Sequence, residues 1–256
     1  MKEIDIQAAD SHKIRNIIVE NGTNHLVLLA HGITTEKNEE GIYTYFAENI
    51  LSPDFDSLRF DFRGHGDSNV SSKNMRISGE ILDLMAVLSW ANKSKYKDIH
   101  LVAASFGGSI VLLANSIFNL DYLSSVTLWS PVISYQNTFI NSTVEWGKEF
   151  FNQSKTEDLA YRHYTQIPET DFLIGPELTM ELLLLHPEST LWPINIPLMI
   201  IHGTTDTLVP YNDAIMYANN NKSVLLHSIL GVDHGFDEKI DEAYQFTKEW
   251  ISKHKR

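Results

Sequence analysis

Short apolar runs alternate along this chain with longer amphipathic stretches. The runs at 14–19, 25–31, 56–61, 99–104, 126–130, 198–202 and 223–230 have strand length and β-forming composition. Between them, 40–50, 77–93, 109–118, 211–220 and 236–254 show the periodicity of helices packed on one face. Strands interleaved with helices predict an α/β fold: a mainly parallel sheet flanked by helices on both faces. No helix separates the first two runs, so the sheet is expected to begin with an antiparallel strand.

One region breaks the rhythm. From 133 to 191 there is no convincing buried strand, yet Tyr135, Phe139, Trp146, Phe150, Phe151, Tyr161, Tyr164 and Phe172 fall there. The stretch is too long for an ordinary loop and too apolar for a disordered linker, which predicts a small helical unit. The organisation expected is a core of residues 1–132 and 192–256, with 133–191 as a helical lid inserted between strands six and seven. In open α/β sheets, ligands gather beyond the carboxyl ends of the strands, where such a lid would line an apolar pocket. Tyr135, Phe139 and Trp146 are its candidate pocket residues. The plainer alternative is an insertion that packs its aromatics on the sheet.

A length of 256 residues with 43% hydrophobic content suits one large α/β domain or two small ones. The net charge of −13 argues against a nucleic-acid partner, which needs clustered Lys and Arg. The basic end, Lys253 to Arg256, is expected to be a solvated tail. Cysteine is absent, which removes disulfides, thiolate metal sites and a cysteine nucleophile. The first ten residues lack the basic-then-apolar pattern of a secretory signal, and the most apolar runs, 26–30 and 197–201, are too short to span a membrane. A soluble, cytoplasmic protein is expected.

The chemistry centres on Ala103-Ala104-Ser105-Phe106-Gly107-Gly108, between a predicted strand and a predicted helix. It differs by one small residue from the Gly-x-Ser-x-Gly nucleophile elbow. Serine is a weak nucleophile at neutral pH, so Ser105 needs a base and an acid to orient that base. His234, in a turn after the last strand, is the best base. Asp206 follows the strand at 198–202 and is the best acid, with Asp213 and Asp233 as fallbacks. The order serine, acid, histidine is that of α/β hydrolases. Acyl transfer also needs backbone donors for a developing oxyanion. The Phe106 amide follows the nucleophile, and the Ile33 amide lies in the loop His31-Gly32-Ile33 after the second strand. His31 is read as a brace for that loop. In 61–68 the turn residues Asp61, Arg63 and Asp67 are read as structural, because the segment lacks a phosphate-loop lysine.

Together these pieces resemble the serine carboxylesterases of the α/β-hydrolase superfamily. They are most similar to small bacterial esterases, including cinnamoyl and feruloyl esterases, and to the monoglyceride lipase and serine aminopeptidase-like group. The resemblance spans nearly the whole chain and carries Asp61 to Ser68, Val209-Pro210 and Asp233 to Phe236 as well. It implies Ser105 as nucleophile, His234 as general base and acid, Asp206 as orienting acid, and the Ile33 and Phe106 amides as the oxyanion hole. Ala103 departs from the family's usual glycine. Cinnamoyl esterases bind their phenolic ring through lid residues that find no one-by-one match here.

The expected activity is hydrolysis of a small-molecule acyl ester or thioester of short or medium length, with no metal or organic cofactor. The alternatives are an acyltransferase or thioesterase acting on carrier-bound acyl chains, and a ligand receptor without turnover. No stable membrane insertion is expected, and a homodimer is left open.

Overall fold

In a computed structural model, which describes residues 1–150 and 153–256, each predicted run contributes a strand to one sheet. In chain order these are β1 (Asn16–Val19), β2 (His25–Ala30), β3 (Asp56–Phe60), β4 (Asp98–Ala104) and β5 (Ser125–Trp129). A short pair, β6 (Thr165–Gln166) and β7 (Leu173–Ile174), stands apart, and the sheet resumes with β8 (Leu198–Gly203) and β9 (Val224–Ile229). The spatial order is β1-β3-β2-β4-β5-β8-β9, with β1 antiparallel to β3 and every other pairing parallel.

Side-chain alternation along β2 shows why helices must cover both faces. Leu26, Leu28 and Ala30 enter one buried cluster, and Val27 and Leu29 enter the other. The first cluster is covered by α2 (Ile77–Lys93) and α3 (Ser105–Ile117), whose apolar faces supply Leu84, Leu88, Ile110 and Ala114. The second receives Tyr43 from α1 (Ile42–Tyr45), Phe46 from the π-helical turn that continues it, and Ala243 and Tyr244 from a helix near the chain's end. Each fully buried leucine of these layers contributes about 2 kcal/mol of transfer free energy.

The segment 133–191 leaves β5 and returns at β8, the fifth and sixth strands of the sheet. The runs at 126–130 and 198–202 are already the fifth and sixth of the seven, so the expected place between strands six and seven is one strand too late. The residues before β1 make only two isolated bridges, Lys2 to Ile18 and Gln7 to Lys13, and add no further sheet strand. The segment contains α4 (Glu145–Phe150), α5 (Gln153–Arg162), the antiparallel pair β6 and β7, and α6 (Pro176–Leu184). It is mainly but not wholly helical. Phe150 is buried in the core, Tyr161 is exposed, and Phe151 lies outside the described residues.

The chain closes with α7 (Tyr211–Asn220) and α8 (Ile240–Lys253). The basic end is not a free tail. The Arg256 amide donates to Asp98 Oδ1 at 2.9 Å, its guanidinium donates to the Leu123 carbonyl, and Lys255 lies 4.0 Å from the Phe55 ring centroid. Buried Asp98, at the start of β4, supplies the acceptor that a charge count alone does not place. Among the described residues no helix is long and apolar enough to cross a membrane.

Candidate active site

β4 ends at Ala104 and α3 begins at once with Ser105, which adopts φ +50°. A non-glycine residue in this left-handed region is strained by about 1 kcal/mol or more. The surroundings hold it there. The Val132 amide donates to the Ser105 carbonyl at 2.9 Å. A side chain on Gly107 would start 2.4 Å from the His31 carbonyl oxygen, and one on Gly108 would start 2.6 Å from Pro131 Cβ. Glycine is needed at both places for α3 to leave the strand so closely. Ala103, by contrast, is fully buried in the core, which accommodates its methyl.

Asp206, 9% exposed, follows β8. Its Oδ1 accepts the amides of Leu208 at 2.9 Å and Val209 at 2.7 Å. Its Oδ2 faces two imidazoles, His234 Nδ1 at 2.8 Å and His202 Nε2 at 3.0 Å. Burial alone would push this carboxyl up, but the charge of His234 and the bonds from His202 and His234 hold it well below the usual carboxylate range. Burial works against charge on His234 too, yet the charge of Asp206 and its hydrogen bond raise the imidazole above 6.5. A carboxylate only accepts, so His234 Nδ1 carries the proton and Nε2 is left without one.

The fallback acids are occupied elsewhere. Asp213, in α7, accepts from Asn137 Nδ2 at 2.8 Å. Asp233 accepts from the Thr207 amide at 2.7 Å and its hydroxyl at 2.9 Å, and caps the turn before His234.

Ser105 and His234 line one cavity of about 390 Å³, together with Ile33, Val132, Phe139, Trp146 and Leu208. Among the described residues no direct hydrogen bond joins Ser105 to His234. Such contacts are often long before substrate binds. Gly32 packs against the serine: a side chain there would begin 3.0 Å from Ser105 Cβ. The Phe106 amide lies in the first turn of α3, and Ile33 reaches the cavity wall from the opposite loop. His31 has the bracing geometry expected of it. Its Nε2 accepts the Phe62 amide at 3.0 Å, so Nδ1 donates to the Gly32 carbonyl at 2.7 Å, and burial lowers its pKa to about 4.

Tyr135 does not reach the wall where it was expected. It stacks on Phe106 at 5.6 Å, and its hydroxyl donates to Ser109 Oγ at 2.7 Å, fully buried. Only a few residues past β5, it is still held against α3. Phe139 and Trp146 lie farther along and do line the cavity, with ring centroids 5.8 Å apart.

The motifs assign no role to two residues of the site. His202 is the second imidazole on Asp206; its place at the end of β8, four residues before the acid, was the available signal. Glu39 lines the cavity, and its Oε2 accepts the Gly32 amide at 2.8 Å and the Thr35 hydroxyl at 3.1 Å. Burial pushes its carboxyl up to about 7. No motif flags it. In 61–68 the acids gather around a lysine: Lys37 Nζ donates to Asp61 at 2.9 Å and Asp67 at 2.6 Å, while Arg63 ties α2 to the beginning of the chain through Asp83 and Asp10. Among the described residues no group of three or more His, Asp or Glu is arranged to hold a metal ion.

A family model described as the alpha/beta hydrolase fold matches residues 25–173. The chain belongs to the α/β hydrolases. A curated relative of this α/β hydrolase, an uncharacterized 31.7 kDa Escherichia coli protein from the traX-finO intergenic region, is 23% identical over 240 residues and covers 82% of each chain. Est1E of Butyrivibrio proteoclasticus with ferulic acid bound superposes with a TM-score of 0.81 at 21% identity, covering 99% of both chains. An esterase from Pyrococcus furiosus superposes with a TM-score of 0.71 at 21% identity, covering 99% of this chain and 90% of its own. At these identities the likeness establishes the shared fold.

Proposed function

We propose that this α/β hydrolase is a serine hydrolase that cleaves a carboxylic ester through an acyl-enzyme on Ser105. The observation that carries the reading is the Asp206 to His234 hydrogen bond of 2.8 Å, which leaves the imidazole's free nitrogen to serve a strained serine on the same cavity. His234 Nε2 takes the Ser105 hydroxyl proton as Oγ attacks the ester carbonyl carbon. The carbonyl oxygen gains charge against the Ile33 and Phe106 amides, donors of a kind worth about 3 kcal/mol when one is removed. As the tetrahedral intermediate collapses, the carbon-to-oxygen bond of the leaving alcohol breaks and the imidazolium returns its proton to that oxygen. Water then enters, His234 takes its proton as the water oxygen bonds to the acyl carbon, and the acyl carbon to Oγ bond breaks as the imidazolium returns the proton to Ser105, releasing the acid.

The segment 133–191 serves as the lid in this reading, with Phe139 and Trp146 against the acyl group. The similar fold of Est1E, described with ferulic acid bound, supports an ester substrate with an apolar or aromatic acyl part. Charge separates this reading from the carrier-bound alternative. The cavity wall carries Glu39, Glu40 and Glu169 and, among the described lining residues, no Lys or Arg. A coenzyme A thioester would bring several phosphate charges to that mouth.

Hydrolysis of p-nitrophenyl esters and acyl-coenzyme A thioesters of graded chain length, by wild type beside Ser105→Ala, tests the proposal. Ester turnover abolished in a folded Ser105→Ala is expected, with little on the thioesters. Equal activity in that variant would remove Ser105 as nucleophile, and faster thioester cleavage would favour the carrier-bound substrate.

A further inference from the structure

The loop that carries the Ile33 amide is not held by the catalytic residues. It is held by a half-buried acid, Glu39. Glu39 accepts the Gly32 amide and the Thr35 hydroxyl on one oxygen, and so closes the turn from Gly32 to Thr35. Its other oxygen, Oε1, lies 3.4 Å from where a Gly32 side chain would start, and Ser105 Oγ lies 3.6 Å from the same point. The backbone is bent to place it: Glu39 has φ +48°, Glu40 φ +53° and Gly41 φ +96°. Two successive glutamates in the left-handed region are costly unless the position is used.

Resting on the hydrolase reading above, we propose that Glu39 is a positioning residue of the catalytic site: its bond to the Gly32 amide sets the turn that presents the Ile33 amide, and its charge biases His234 across the cavity.

The groups facing this acid are few. Glu40 adjoins it, Tyr43 follows on α1, Ser105 heads α3, and His234 arrives from the loop after β9. His234 in turn faces Asp206 and Asp233 besides Glu39. An ionised Glu39 raises the His234 pKa, and a protonated His234 lowers that of Glu39. The charge state of each therefore bears on the titration of the other. Removing the charge must lower the pH at which His234 becomes a free base.

Two variants separate the roles. In Glu39→Gln the amide oxygen can still accept from Gly32 but carries no charge; in Glu39→Leu neither is left. With a p-nitrophenyl ester, Glu39→Gln is expected to move the acid limb of kcat/KM down by about half a pH unit or more. Glu39→Leu is expected to lose about tenfold or more in kcat with KM within about threefold, as for a misplaced transition-state donor. An unshifted limb in Glu39→Gln overturns the electrostatic role, and a kcat within about twofold of wild type in Glu39→Leu overturns the positioning role. Titration of the His234 ring by NMR in wild type and Glu39→Gln needs no substrate. A lowered midpoint in a protein without esterase turnover counts against the hydrolase reading alone, whereas an unchanged midpoint overturns the coupling even in an active enzyme.

Discussion

Asp206 receives four hydrogen bonds, and each of its oxygens has a separate task. Oδ1 is spent on two backbone amides that fix the carboxylate, which leaves Oδ2 to orient the imidazoles. Asp206→Asn keeps the shape but can present an amide hydrogen to His234, favouring the wrong tautomer. A fall in kcat of about 10³-fold or more is expected, with the fold unchanged by circular dichroism. A drop under about tenfold would return the role to Asp213 or Asp233.

The raised pKa of His234 also sets a direction for pH. The free base is needed, so kcat/KM should climb through neutral pH and level off on the alkaline side; a plateau already reached below 6.5 would contradict it. Stability runs the other way for this group. A folded pKa above the unfolded 6.5 contributes stability that is full below 6.5 and lost as pH rises through the folded value. Asp206, depressed from 3.8, contributes above that value and loses it as pH falls through its folded one. The melting-temperature deficit of His234→Gln should therefore be larger at about pH 5.5 than at about pH 9.

At the scale of elements, the strand-turn-helix around Ser105 depends on Gly107. Gly107→Ala would set a methyl against the His31 carbonyl and should cost about 2 kcal/mol or more in urea unfolding, with activity falling as the turn shifts. Unchanged stability would mean that the β2 loop can retreat. Trp146, on α4, lines the cavity, and in the proposed reading it acts on selection instead. Trp146→Ala should raise KM for longer acyl esters while leaving acetate turnover near wild type, and equal effects across the series would take the side chain off the acyl path.

These elements were legible to different degrees. β2, β4 and β8 are buried on both faces, so their apolar runs announce them, and Ser105, Asp206 and His234 sit at strand ends where sequence neighbours are also spatial neighbours. His202 lies only four residues before Asp206 and Glu39 only seven after Gly32, but nothing in the local pattern distinguishes a side chain folded back onto its own loop from a solvated one. Tyr135 failed as a pocket residue for the same reason. An aromatic buried against a helix and one that lines a cavity wall look alike until depth is known.

At the scale of the whole molecule, β4 joins the reactive end to a structural one. Ser105 follows its last residue, and Asp98, its first, gathers His25, Ser124 and the Arg256 amide. Removing residues 254–256 should lower the melting temperature while leaving KM unchanged; a changed KM would show that this end of the sheet influences the cavity. The bond from the Val132 amide to the Ser105 carbonyl has a mechanical consequence for the segment above. Val132 stands where that segment departs, and Tyr135 just beyond it is pinned to Ser109. Any rearrangement of the insertion that began at either residue would pull on Ser105 or on α3, so the first stretch of the insertion is tied to the helix that Ser105 heads.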